Sequence, residues 1–293
     1  MQTVRVLSSL AVPIQARGMA TLKDVAVQLK SIKNIQKITA SMKMVASAKF
    51  AKADRELRRA IPYGIGAAAF YEKAGLIKQE DQVQPQGHLV IAITSDRGLC
   101  GAANNTIGKA IRELIAHEPV KGSTKLVLIG DKVRLMLARQ HSDRFLLSFA
   151  DVGKKPPSFE DASTISQALI NSGFEFDKAS LFYNKFKSVV AYRTTVQPIF
   201  SLEQLQQSSS LAVYDSVDDE VLKSYNEFLL SSLIFYALKE AAASEQSARM
   251  TAMESATKNA GEIIDRLTVT FNRTRQAVIT KELIEIISGA AAV

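Results

Sequence analysis

The 293-residue sequence has one cysteine, Cys100, and three histidines, His88, His117 and His141. A single thiol excludes an internal disulfide framework, and no Cys/His cluster has the spacing of a zinc site. So few histidines leave little room for histidine-based catalysis. Long apolar runs are missing too. The longest, Leu89–Ile93 and Leu233–Leu238, fall far short of the ~18–20 residues that a membrane-spanning helix needs. Residues 1–23 carry no acid, and glycine and proline are both absent from Lys23 to Ile61. From Asp218 to Ser288 there is no proline and one glycine, Gly261. What remains is ordinary globular material, 47% apolar and 23% charged, enough for a sizeable core in about two domains. The net charge of +8 suits an acidic partner without naming one.

The acid-free start contains Arg5, Arg17 and Lys23 among apolar and hydroxyl residues. Arginine-bearing, acid-poor leaders are the pattern of mitochondrial transit peptides. Pro13 interrupts the short apolar run and argues against a secretory signal. Residues 1–18 are therefore expected to be a transit peptide removed near Arg17–Met19, which would leave a matrix protein.

After it, Val25, Leu29, Ile32, Ile35, Ile38, Met42, Val45 and Phe50 recur mostly at steps of three and four, a helical stripe. The helix is expected to kink or end at Pro62 and Gly64, with Ala67–Lys73 able to resume it. At the other end, Asp218 and Asp219 suit a helix start, and Gly289 is a stop signal. Ala260, Ile264, Leu267, Phe271, Thr274 and Val278 step 4-3-4-3-4, as in a coiled-coil seam. A globular helix averages ~11–12 residues, so two helices this long must project and pair with each other or with a partner. Their charges agree. Lys23–Arg59 holds ten basic and three acidic residues; Asp218–Gly289 holds eight basic and eleven acidic. Ala248, Ala252, Ala256 and Ala260 step by four, a row that winds around a helix and so is expected to face more than one neighbour.

Between the helices, His88–Ser95, Thr124–Gly130, Arg144–Ala150, Lys178–Phe186 and Tyr192–Ser201 read as strands. Ala102–His117, Asp131–Arg139 and Phe159–Ser172 read as helices between the first four. That alternation predicts a largely parallel sheet, with an antiparallel pair where the last two strands are joined by a short link. The expected fold is α/β: a long antiparallel coiled coil of N- and C-terminal helices with an inserted α/β, Rossmann-like domain. The boundaries are 19–79 for the first helix, 80–210 for the inserted domain and 211–293 for the last helix.

The first strand is followed by Gly98-Leu99-Cys100-Gly101. This is not the dinucleotide fingerprint, and Gly101 and Gly108-Lys109-Ala110 do not space as a phosphate loop. Glycines shaping a tight turn, a small buried thiol at Cys100 and a local Asp96–Arg97 salt bridge account for the segment. No catalytic residue, metal ligand or cofactor site emerges.

The termini carry a resemblance. Leu29-Lys30-Ser31-Ile32-Lys33-Asn34-Ile35-Gln36-Lys37-Ile38-Thr39, with Met42-Lys43-Met44-Val45-Ala46, closely resembles the N-terminal helix of the γ subunits of F-type ATP synthases. Ile279 through Ala291 resembles that family's C-terminal signature. Ala243-Ser244-Glu245-Gln246-Ser247-Ala248-Arg249-Met250 and Gly98-Leu99-Cys100-Gly101 fit in the same order, and the leader looks mitochondrial. The resemblance implies the central rotor shaft of a proton-driven ATP synthase, non-catalytic itself and without a cofactor. It would be peripheral on the matrix side of the inner membrane. The implied partners are the α and β subunits of the catalytic hexamer, central-stalk subunits of δ and ε type, and the membrane c-ring. Carried over position by position, Met42 and Lys43 would pass acidic loops of β subunits. Arg249, Arg275, Gln276, Thr280 and Glu282 would meet the collar or lie against the partner helix. The inserted regulatory segment with a cysteine pair found in chloroplast-type γ subunits is absent.

Two other classes compete. A basic coiled-coil nucleic-acid binder lacks interleaved aromatics and a recognition motif, and a nucleotide-binding enzyme is weakened by the failed phosphate loop. The lack of a phosphate loop and of a catalytic carboxylate predicts that the chain alone neither hydrolyses ATP nor binds it tightly. Calorimetric detection of tight ATP binding that is lost when Gly101 or Lys109 is changed would contradict this.

Overall fold

A computed structural model describes residues 21–73, 87–117, 122–153, 155–176, 178–206 and 218–291. The expected transit peptide, and the junctions expected near residues 80 and 210, lie outside these residues. The elements run α1 (Leu22–Lys73), β1 (His88–Ile93), α2 (Ala103–Ala116), β2 (Thr124–Ile129) and α3 (Asp131–His141). They continue with β3 (Phe145–Phe149), α4 (Phe159–Asn171), β4 (Lys178–Ser188), β5 (Ala191–Ile199), α5 (Leu202–Gln206) and α6 (Asp219–Ala291). Contacts divide the chain into two units, residues 38–257 and a second formed by residues up to 37 with those from 258 onward.

The larger unit is a three-layer α/β structure with strand order β3-β2-β1-β4-β5. The first four strands are parallel, and β5 pairs antiparallel with β4. That is the expected sheet, with β5 alone forming the antiparallel edge. β1 reads His-Leu-Val-Ile-Ala-Ile and is buried throughout, because a central parallel strand is covered on both faces. Its alternate side chains supply two cores. Leu89, Ile91 and Ile93 face Ile165 and Leu169 of α4, Leu233 and Ile234 of α6, and Tyr71 of α1. Val90 and Ala92 face Ile107 and Ile111 of α2 and Val133 and Leu137 of α3.

α1 does not stop at Pro62. The helix continues to Lys73, because Pro62 lies on its exposed side while Leu57, Ala60, Ala67 and Tyr71 are buried. A missing N–H on the wet face leaves a carbonyl that water can satisfy, and burial on both sides holds the turn. Gly64 is there for space: a Cβ would stand 2.5 Å from the Tyr236 ring of α6.

The packing line of α1 also differs from the apolar stripe. Ile38 and Val45 are more than half exposed. Burial instead follows Thr39, Ala46, Phe50, Ala53, Leu57, Ala60, Gly64, Ala67 and Tyr71, positions on a 3.5-residue repeat. Small and hydroxyl residues let two backbones approach, so the large aliphatic side chains are left outside. Partners show the antiparallel sense. The Thr257 hydroxyl donates to that of Thr39 at 2.8 Å, Lys43 meets Glu254 at 2.9 Å, and Lys239 meets Glu56 at 2.8 Å.

In the smaller unit a capping box starts α1. The Thr21 hydroxyl and amide donate to Asp24, whose own amide donates to Thr21 Oγ1. These bonds hold the Asp24 carboxyl below the usual carboxylate value. Val25 is buried, Leu29, Ile32 and Gln36 are half-buried, and Ile35 is exposed. On α6, Ala260 is buried and Ile264, Leu267, Phe271 and Thr274 are each less exposed than their neighbours, as the 4-3 spacing predicts. The expected seam stops before Val278, which is exposed.

Gly130, between β2 and α3, has φ +100°, and a Cβ there would lie 2.3 Å from the Thr94 carbonyl oxygen. Gly173 has φ +64° with open space around it. Gly173→Ala should therefore cost only the left-handed backbone term of about 1–2 kcal/mol. Gly130→Ala should cost more, through the added backbone collision. Urea denaturation of the two variants checks the order.

Candidate functional site

The loop after β1 is tied together by its own side chains. Leu99 and Gly101 take positive φ values of 65° and 59°, so Gly101 shapes the turn together with a left-handed Leu99. Cys100 is buried, and its sulfur accepts from Asn104 Nδ2 at 3.1 Å. The Ser95 amide donates to Asn104 Oδ1 at 3.1 Å. Asp96 is not occupied by Arg97 as expected. Its carboxylate accepts from the backbone amides of Asp131 at 3.0 Å and Gly153 at 3.4 Å, where it offsets the positive end of α3. His88 is buried against the Ser180 hydroxyl at 2.9 Å, and His117 bonds the Glu113 carbonyl. Among the described residues no group of three or more His, Cys, Asp or Glu could hold a metal ion.

The most specific polar construction instead ties α6 to the sheet domain. Glu240, Ser244, Ser247 and Thr251 lie on one side of α6 at steps 4-3-4. Glu240 accepts the Phe186 amide and the Tyr236 hydroxyl, each at 2.7 Å. The Ser244 hydroxyl donates to the Asn184 carbonyl at 2.8 Å, and Ser247 and Thr251 both donate to the Val189 carbonyl. Farther back, Ser231 meets Ser166 of α4 at 2.6 Å. Glu240 is 4% exposed, so its negative charge rests on bonds inside the protein. Beside it, burial followed by the Glu240 charge lifts the Tyr183 hydroxyl to about 12. Burial, then the bond and charge of Glu240, lifts Tyr236 as well.

Arg249 completes this joint. It is 8% exposed, and its guanidinium donates to Glu245 at 2.5 Å and to the Gly98 carbonyl at 3.3 Å. Thus Arg249 reaches the turn after β1 of its own chain. Ala252 stands 4.0 Å from where a Gly101 Cβ would be, and Ala248 and Ala252 line the same cleft as Cys100 and Tyr192. This part of the alanine row faces the sheet domain of its own chain.

The other sequence-derived positions are separate from the joint. Met42 is half-buried on α1, next to Lys43 with its Glu254 bond. Arg275, Gln276, Thr280 and Glu282 share one exposed stretch of α6, where the Thr280 hydroxyl donates to the Gln276 carbonyl at 2.9 Å. In that same stretch Ile279, Leu283, Ile284, Ile286 and Ile287 are 48–68% exposed. Clustered exposed aliphatics mark a surface meant to be covered. The joint was missed in the sequence, although a 4-3-4 row of small polar residues in an otherwise alanine-rich helix was available as a signal.

In the larger unit, segments of two long helices are fastened by internal polar groups to a Rossmann-like sheet, the arrangement of a helix pair carrying an inserted α/β domain. A family model described as ATP synthase matches residues 21–293. The mitochondrial ATP synthase F(1) complex subunit gamma of Rattus norvegicus is 55% identical over 274 residues, covering 93% of this chain and 99% of the relative. The mitochondrial ATP synthase subunit gamma of Drosophila melanogaster is 54% identical over 278 residues, covering 95% and 92%. Among solved structures, a chain from the central stalk and c-ring of the Tetrahymena thermophila mitochondrial ATP synthase aligns with TM-score 0.65 at 25% identity. It covers 75% of this chain and 99% of that one. A chain of the Euglena gracilis mitochondrial ATP synthase shares the fold with TM-score 0.76 at 19% identity, covering 92% and 94%. The chain belongs to the ATP synthase γ-subunit family, in its mitochondrial branch.

The Arg249–Glu245 pair gives a test of the joint. Arg249→Met leaves a buried carboxylate uncompensated and should cost about 3–5 kcal/mol, much of it recovered in Glu245→Gln/Arg249→Met. Burial already raises the Glu245 carboxyl above 4.5 against the opposing pull of Arg249. A raised carboxyl means that the native state holds its proton more tightly. Its contribution is therefore greatest below about 4.5 and declines as pH rises through the native value. Removing Arg249 should move that decline to higher pH. Denaturation midpoints of variant and parent across pH 4.5–8 should then diverge as pH rises.

Proposed function

We propose that this chain is the rotor shaft of a mitochondrial ATP synthase, turning within the α/β hexamer and carrying torque from the membrane c-ring to the catalytic subunits. The observation that carries this is the double use of α6. One helix pairs with α1 and is fastened by Glu240, Ser244, Ser247, Arg249 and Thr251 to the sheet domain. A torque applied to that domain has to turn the helix pair with it. An asymmetric shaft cannot meet three identical catalytic subunits alike, so each is held in a different nucleotide state. ATP binding and bond-making belong to those subunits, and this chain changes their shape.

The sheet domain, at about 80–210, would sit toward the c-ring with the δ- and ε-type stalk subunits, on the matrix side of the inner membrane. Segments 19–79 and 211–293 would form the shaft, and residues 1–18 would direct import. Met42 and Lys43, with the exposed Ile38 and Val45 beside them, would face β subunits. Arg275, Gln276, Thr280 and Glu282, among exposed aliphatics, would face the upper collar. A long helix end this apolar is best explained by a sleeve of protein around it. Arg249 would transmit torque indirectly, as a positioning residue at the joint.

Affinity-tagged chain expressed in mitochondria should recover α and β subunits in fixed stoichiometry and ATPase activity with them; recovery of nucleic acid alone, released by salt, would exclude this reading. Leu267→Asp, at a half-buried seam position, should cost on the order of 1–3 kcal/mol and reduce assembly. Lys43→Gln removes a mostly exposed ion pair worth ~0–1 kcal/mol, so its complex should assemble normally. If Lys43 meets the β subunits, coupled synthesis should nevertheless fall in that variant. Normal synthesis would place Lys43 outside the transmission path.

A further inference from the structure

A cavity of about 270 Å³ lies in the larger unit at the carboxyl ends of β1 and β2, lined by Ile93, Thr94, Ser95 and Ile129. α1 and α6 bound one side through Lys49, Lys52, Leu238 and Ala242, and the segment after β3 bounds another through Val152, Lys155 and Pro156. The place matters. β1 is the strand where the chain order reverses, with β2 and β3 on one side and β4 and β5 on the other. In open α/β sheets the crevice outside the carboxyl ends at such a reversal is where ligands bind. Here the two long helices cover the crevice and make it a pocket.

Its chemistry is lopsided. Among the described residues four lysines line it, Lys49, Lys52, Lys155 and Lys239, against two carboxylates, Glu56 and Glu245. Glu56 lies within ion-pair distance of both Lys239 and Lys52, at 2.8 and 3.9 Å, and Glu245 is bonded by Arg249. The described lining therefore carries an excess of two positive charges. The first turn of α2 contributes in the same sense. Ala103 and Asn104 line the cavity, Ala102 provides no side-chain cap, and the turn has no acid. The positive end of α2 is thus not offset by an anion of its own. The remaining walls are apolar: Ile93, Ile129, Val152, Pro156 and Leu238.

We propose that this cavity is a binding site for a small phosphomonoester, with the dianionic phosphate held among Lys49, Lys52 and Lys155 and a compact apolar body against the aliphatic and proline walls. A single phosphate matches the excess charge, and lysine is a suitable point-charge partner for it. At about 270 Å³ the space is just below the usual range for drug-sized ligands, which selects a compact body over a dinucleotide. The pocket is built jointly by the sheet domain and both helices of the larger unit, so an occupant would brace the domain against them.

Phenyl phosphate is a suitable probe, with inorganic phosphate and phenol as its two halves, titrated calorimetrically into the full chain at low salt. Phenyl phosphate should bind saturably, at least about tenfold tighter than either half. Lys49→Gln and Lys155→Gln, at exposed positions, should each weaken it about tenfold, with unchanged thermal midpoint. Lys109→Gln on the far side of α2 should leave affinity unaltered. Ala242→Leu, which fills the apolar part, should weaken phenyl phosphate more than inorganic phosphate. No saturable binding to the parent chain, or binding indifferent to both lysine substitutions, would overturn the proposal. So would equal affinity for phenyl phosphate and inorganic phosphate, because the apolar walls would then play no part.

Discussion

The two-sided packing of α6 between Ser231 and Thr257 is the constraint on which the rest of the larger unit depends. One side of the helix meets α1 through Tyr236, Lys239, Glu254 and Thr257. Another side meets the sheet domain through Ser231, Glu240, Ser244, Ser247 and Thr251. A helix fixed along two lines cannot roll about its axis without breaking buried hydrogen bonds. An unsatisfied buried polar group costs about 1–3 kcal/mol, and several would be lost together. The joint is therefore stiff in the direction in which a rotor is loaded.

Small residues make this possible. Ala46, Ala53, Ala60, Gly64 and Ala67 on α1, and Ala237 and Ala243 on α6, are in the packed or half-packed set. They let α1 and α6 approach while the larger aliphatic side chains, such as Ile38 and Val45, face outward. That inversion fits a shaft. An ordinary soluble helix hides its large apolar groups, whereas one destined to run inside a collar of other subunits carries some of them outside.

The sheet domain keeps a nucleotide-binding architecture without a glycine-rich phosphate loop after β1. The loop after β1 is closed by Cys100, Asn104 and Ser95 bonding one another, and Asp96 is committed to backbone amides of Asp131 and Gly153. A turn filled in this way supports Arg249, which grips it through the Gly98 carbonyl. The Gly98 turn itself serves attachment.

The five strands were legible because each is a short run of Val, Ile, Leu and Phe bounded by turn residues. The two long helices were legible from the near-absence of proline and glycine. The 4-3 spacing from Ala260 to Thr274 predicted burial correctly, because large apolar residues mark that seam. On α1 the same reasoning chose Ile35, Ile38 and Val45, since nothing local announces that Thr39 and Ala46 are the inward positions. Likewise Pro62 and Gly64 read as a break until the exposed side of one and the Tyr236 ring beside the other were seen. Arg249 was singled out by resemblance, but its engagement of Glu245 and Gly98 joins positions up to 151 residues apart, and no periodicity encodes that. The sequence by itself determined the type and order of the main elements and membership of the family, because these follow from local propensity and from motifs in a fixed order. Tertiary structure alone decided which face of each helix is inside, which polar groups fasten α6 to the sheet, and where lysines from three segments surround one cavity. Those outcomes depend on the relative placement of elements distant in sequence, and a one-dimensional pattern carries no distance between them.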